Sequence, residues 1–125
     1  MSVESELVEV IKTYSATVNV YAFEVPDNDQ NPEAIAYRQI GYRRSTGYYE
    51  KDKEIRITRF HIVRVCNSYI ELTEDSTFAS ILNKYTGGTI LDLSLIESQD
   101  FKIEVNKKFE RVYHVDVTHI VTFNK

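Results

Sequence analysis

The residues most able to do chemistry in this sequence are its histidines. Two of them, His114 and His119, sit in one alternating stretch, ERVYHVDVTHIVTF, from Glu110 to Phe123. On a regular strand, residues an odd number apart point to opposite faces, so these two cannot close on a single metal ion. His61 lies on a separate stretch and could neighbour one of them, not both. The same geometry weakens a catalytic histidine pair, and a hydrogen-bonded strand histidine is the expectation.

A second hook is Asp100-Phe101-Lys102, an acid-x-Lys element of the kind found in magnesium-dependent nucleases, with Asp92 upstream. Such sites use two carboxylates to hold the ion and a lysine near the attacking water. With 19 acids and eight lysines in 125 positions, about one such match arises by chance, so the element alone says little. Gly87-Gly88 lacks the lysine and the strand-loop-helix order of a phosphate cradle and reads as a helix stop. Cys66 is the only cysteine. It excludes an intrachain disulfide and a thiolate zinc site within one chain, and its apolar surroundings predict a buried, inert thiol. No HExxH, GxSxG or GxGxxG occurs. The sequence therefore predicts no catalytic, metal-binding or cofactor-binding set, no cofactor, and a protein that is not an enzyme.

Charge is more informative. From Arg38 to Arg64 eight basic residues (Arg38, Arg43, Arg44, Lys51, Lys53, Arg56, Arg59, Arg64) face three acids, a surplus of +5. With a net charge of −4, the remainder carries −9. Tyr37, Tyr42, Tyr48 and Tyr49 interleave with the basic residues. Aromatics among Arg and Lys can stack bases and neutralise phosphates, so residues 38–64 could be a nucleic-acid-binding hairpin. Tyr and Arg are equally the residues of protein interfaces, and a solvated hairpin is the plainest alternative. The acidic remainder would be repelled by a phosphate backbone. If the polarity persists in space, one copy's basic part attracts another copy's acidic part.

The elements that must position these residues follow from periodicity. Val3, Leu7, Val10, Ile11 and Tyr14 predict an amphipathic helix over 2–14. TVNVYAF (17–23) reads as a strand closed by Pro26, and PDNDQNP (26–32) as a loop. Residues 33–44 and 54–66 predict a long hairpin around the polar loop 45–53. The second of these strands changes phase: Ile55 and Ile57, then Phe60 and Ile62, then Val63 and Val65. That requires a bulge or burial on both faces, and a second buried face in a small domain often meets a partner. A capping box at Ser68–Glu71 opens a helix expected over 69–86. Residues 89–96 predict a strand, FKIEV (101–105) a short extra strand or a loop, and 110–123 the closing strand. There Tyr113, Val115, Val117, Val121 and Phe123 should pack the helices, with His114, Asp116 and Thr118 on the other face.

Length and composition fit one domain, residues 1–125. The expected class is α+β: a mostly antiparallel β-sheet with an N-terminal helix and one longer central helix packed on one face. Glu4, Glu6 and Glu9 stand where a signal peptide needs positive charge, and no apolar run approaches a membrane span. A soluble protein made in a reducing cytoplasm, with no membrane partner, is the expectation.

This layout resembles the tail-terminator family of long-tailed bacteriophages. The resemblance runs over nearly the whole chain: an N-terminal helix, a strand into proline (VNVYAFEVP), a strand pair with a variable loop (AIAYRQIGYRR and EIRITRFHIVRVC), a helix directly after it (NSYIELTEDSTFASILNKYTGG), and a long closing strand (RVYHVDVTHIVTF). RFHIVRVCNSY is similar to the family's strand-into-helix junction, whereas FKIEV has no clear place in the pattern. The resemblance implies a structural virion protein of the tail and neck, assembled in the host cytoplasm. Six copies would form a ring that caps the tail tube, stops its polymerisation and offers the head-joining surface. Its partners would be further copies of itself, the tail tube protein, neck or connector proteins, and DNA passing through the ring lumen. A tail-completion or head-closure protein of the neck is the nearest alternative. The residues expected at the subunit or partner interface are Arg43, Arg44, Tyr48, Tyr49, Lys51 and Lys53.

Overall fold

A computed structural model describes residues 2–15, 18–26, 31–45, 53–73, 76–83, 88–103 and 107–122. Helix α1 spans Val3–Tyr14. The Ser2 hydroxyl caps it by accepting from the Ser5 N–H at 3.1 Å, Glu4 and Glu6 lie in the first turn and Lys12 in the last, which suits the helix dipole. Its buried stripe is Glu6, Leu7, Val10 and Ile11.

Five strands follow: β1 Asn19–Ala22, β2 Glu33–Arg44, β3 Lys53–Cys66, β4 Ile90–Ile103 and β5 Lys108–Thr122. They form one sheet in the order β1-β2-β3-β5-β4. β1 runs parallel to β2 and the other three pairs are antiparallel, so the sheet is mixed, with antiparallel pairing predominating. After β1 the chain turns at Phe23, whose φ of 77° is left-handed and whose N–H donates to the Tyr37 carbonyl at 2.7 Å.

The expected long central helix over 69–86 is absent. Its place holds two short helices, α2 Tyr69–Thr73 and α3 Ser76–Ile81. The apolar periodicity is present, but the middle of the segment reads Thr73-Glu74-Asp75-Ser76-Thr77. Thr, Asp and Ser are poor helix formers because their side chains compete for backbone groups, and Thr73 Oγ1 donates back to the Ile70 carbonyl at 2.9 Å. The predominant structure is therefore β-sheet, with α1, α2 and α3 as accessories. FKIEV is likewise no separate element, because β4 continues through Phe101 to Ile103.

The helices cover one face of the sheet, here the helix face. Beneath them lie Ile35, Phe60, Ile62, Leu93, Tyr113, Val115 and Val117, closed by Leu7, Val10, Ile11, Phe78 and Leu82. Each such side chain taken fully out of water contributes about 1.5–3 kcal/mol. The phase change in β3 is burial on both faces, not a bulge: β3 pairs with β5 from Lys53 to Cys66 without a register shift. Val63 and Val65 belong to a smaller cluster on the opposite, open face with Ala36 and Val112, and Tyr21 and Val25 of the same chain pack on it.

Candidate functional site

The registers define rows across the open face. Arg38, His61, His114 and Glu97 occupy one row, and Arg43, Ile57, Thr118 and Asp92 another. His61 and His114 are direct cross-strand partners, with ring centroids 4.2 Å apart and planes at 66°. His61 Nδ1 and His114 Nε2 are buried with no hydrogen-bond partner. Burial, then the neighbouring His114, Arg38 and Arg59, hold His61 below the usual histidine range. His119 lies on the helix face, buried, with its Nε2 2.7 Å from Thr58 Oγ1. Burial and then Arg56 keep it below the usual range, against an opposing pull from Glu6. So the closing strand does divide its histidines between two faces. Among the described residues no three His, Cys, Asp or Glu side chains gather where they would hold a metal ion.

The nuclease triplet is also divided. Asp92 is in register with Thr118 on the open face, whereas Asp100 is in register with Arg111 on the helix face. Arg111 grips Asp100 with two hydrogen bonds, Nε to Oδ1 at 2.6 Å and Nη2 to Oδ2 at 3.0 Å, and Tyr69 adds a third at 3.3 Å. Chiefly through Arg111, the Asp100 carboxyl is held below its ordinary range. Cys66 is buried, and burial pushes its thiol up to about 11, so it stays protonated.

Most of the hairpin's basic residues are committed internally. Arg44 Nε donates to Glu54 Oε2 at 2.6 Å and Arg56 donates to Oε1 of the same carboxylate. These two hydrogen bonds, Arg44's first, hold Glu54 below its usual range. Arg59 makes a two-pronged pair with Asp116 at 2.8 and 3.1 Å. Arg64 is buried and donates to Glu33 at 2.5 Å and to the Tyr14 hydroxyl at 2.9 Å, with its guanidinium near the Tyr14 and Phe78 rings. Arg56 stacks over Tyr42, 4.1 Å from the ring centroid.

Of the six residues expected at an interface, Arg43 and Arg44 are neighbours in sequence and face opposite sides of β2. Arg44 turns to Glu54, while Arg43 stands exposed on the open face opposite Ile57. Lys53 opens β3, exposed, opposite Thr122. Tyr48, Tyr49 and Lys51 lie outside the described residues.

Sequence reasoning missed three features. Glu6 of α1 reaches the entrance of β4, accepting from the Thr89 N–H at 2.8 Å and from its hydroxyl. Gly88 does not sit at the end of α3, which closes at Ile81; its φ of 58° lets that carboxylate lie against the backbone. A 450 Å³ cleft on the open face has Val63 and Val65 among its lining and Phe23, Phe101, Arg38 and Glu110 around it. No periodicity announces any of these.

None of the described helices is long and apolar enough to cross a membrane. No protein-family model matches the chain, and no curated protein matches its sequence.

Proposed function

We propose that the protein is a virion assembly protein, a tail terminator whose copies form a ring that caps the tail tube and presents the head-joining surface. The observation carrying this reading is the fate of the charge asymmetry. The basic hairpin becomes β2 and β3 on one side of the sheet, and β5 and β4 lie on the other. A ring of identical chains needs one patch to meet a different patch on the next copy, and a sheet polarised from edge to edge supplies that. The element order is that of the resemblance, with α2 and α3 where the family layout has a single helix.

A second class, nucleic-acid binding through residues 38–64, is weakened by the ion pairs. Arg44, Arg56, Arg59 and Arg64 are already matched to Glu54, Asp116 and Glu33. A dedicated phosphate binder keeps its guanidinium groups for phosphates. Native mass measurement of the purified chain, alone and after mixing with tail tubes, tests the proposal. The expected result is a multiple near six chains on the tube end, and tubes that no longer elongate. Tubes that elongate normally with the protein present would overturn it. Retention of the protein by heads or connectors, with no effect on tubes, would point to a tail-completion or head-closure role.

A further inference from the structure

The sheet contains three register shifts, one in β2 between Gln39 and Gly41 and two in β4, between Ile90 and Asp92 and between Leu95 and Glu97. The extra residue at each is a branched aliphatic: Ile40, Leu91 and Ile96, with exposures of 51 %, 41 % and 50 %. All three lie on edges. β4 is the outermost strand, and β1 pairs with β2 only as far as Tyr37. Bulges are a usual way to blunt an edge, and charge or proline normally accompanies them. Here they push large apolar side chains into solvent, which does nothing for the isolated chain.

The charges on the two edges are opposite and matched in height. From Arg38 to Arg44, β2 has three arginines and no acid; from Ile90 to Asp100, β4 has three acids and no base. Arg44 and Asp100 are committed to Glu54 and Arg111. The others, Arg38 and Arg43 against Asp92 and Glu97, are on the open face. Each pair is five residues apart with one bulge between, so each spans about four ladder steps, roughly 13 Å. Arg38 and Glu97 end the same row of the sheet, and so do Arg43 and Asp92. Copies related by pure rotation about an axis parallel to the strands would therefore bring Arg38 to the next copy's Glu97 and Arg43 to its Asp92, with no slide along the axis. β2 and β4 run in opposite directions, so the edges meet antiparallel.

We infer that the distal edge of β2 docks on the β4 edge of a second copy of this chain, with Ile40 against Ile96 and the two charge pairs setting the register. This inference rests on the ring reading for its biological setting. The opposite charges at matched heights on the two edges identify the occupant as a second copy. The bulges favour side-chain docking over a continuous backbone ladder.

Charge reversal in the full chain tests it, read by sedimentation and native mass, with circular dichroism to check folding. Arg43→Glu and Asp92→Lys should each weaken self-association by about tenfold or more, since like charges then face each other. Mixing the two single variants, or combining them in one chain, should restore it. Ile40→Ser should weaken association without a charge change, and folding should persist because all three sites are exposed. Single variants that associate like the parent, or a double variant that fails to recover, would overturn the contact. If those single variants still cap tail tubes as the parent does, the edge contact falls and the ring reading stands. A parent chain that stays monomeric, alone and with tubes, sinks both.

Discussion

Glu33→Gln is the most exacting perturbation of the fold, because it strands a buried cation. Arg64 has 4 % of its side-chain surface exposed and Glu33 has 23 %. Glu33 accepts from Arg64 through Oε1 and from the Tyr14 hydroxyl through Oε2, and Arg64 also donates to that hydroxyl, closing a triangle between α1, β2 and β3. Removing one partner of a buried ion pair costs about 3–5 kcal/mol, and the partial exposure of Glu33 lowers this to about 2–3 kcal/mol. With a urea slope of about 1.5–2 kcal/mol per molar for a chain of this size, the midpoint should fall by about 1–2 M. The direction of asymmetry is a sharper test. Arg64→Met leaves a carboxylate that water can reach, whereas Glu33→Gln leaves a guanidinium that water cannot. The glutamate substitution should therefore cost more than the arginine one, by equilibrium urea unfolding followed by circular dichroism. A loss below about 0.5 kcal/mol for Glu33→Gln, or the reverse order, would refute the assignment of this triangle as the clamp of α1 onto the sheet.

Three other outcomes are expected. Gly88→Ala should lower the melting temperature by about 10 °C, from left-handed strain plus displacement of the Glu6 carboxylate that a Cβ would overlap, and calorimetry reads it directly. Stability should hold above about pH 6.5 and fall below it, because His61 and His119 are both depressed in the folded chain and the unfolded chain takes up protons first. Each can contribute up to about 1.4 kcal/mol per pH unit, and urea midpoints at pH 7.5 and 5.5 should converge in the His61→Gln/His119→Gln variant. An unchanged slope in that variant refutes the assignment. Thr58→Val leaves His119 Nε2 without its buried partner and should cost about 1–3 kcal/mol in the same unfolding assay.

The strongly periodic segments were legible: α1, β2, β3 and β5 lie within a residue or two of their predicted ranges. They are the segments with long runs of strand- or helix-forming residues bounded by clear caps and turn residues, and β3 stands out despite its change of phase because both of its faces are apolar in part. The failures share a cause, in that periodicity measures which residues want burial and not what the backbone does between them. Leu72, Phe78 and Leu82 are all fully buried, as a long helix would have had them, yet the Thr and Ser side chains between them favour two short helices. In the strand expected over 89–96, Leu91, Leu93 and Leu95 alternate with Asp92 and Ser94, the pattern of one apolar face. The shift at Leu91 removes it from that face and leaves Leu93 buried and Leu95 partly buried against the core. The parallel pairing of β1 was invisible because a four-residue strand carries no directional signal.

The polarity of the sequence and the polarity of the sheet are connected by topology. β2 and β3 form a hairpin, and so do β4 and β5, but the second hairpin enters reversed: β5, later in sequence, takes the central place beside β3. That order puts the longest strand, β5, inside the sheet beside β3 and exiles β4 to the edge, with its acids. Had β4 paired with β3 instead, Glu97 and Asp92 would have faced Arg59 and its neighbours within one chain, and the charges would have cancelled internally. As built, Arg59 is matched by Asp116 of β5 with Glu97 nearby, Arg38 lies near Glu110, and along its own row each outer-strand charge meets its opposite only at the far edge, with two strands between. In the edge contact inferred above, a row that is basic at one end and acidic at the other would be completed by another row of the same kind. The cheapest source of such a row is a second copy of the same chain.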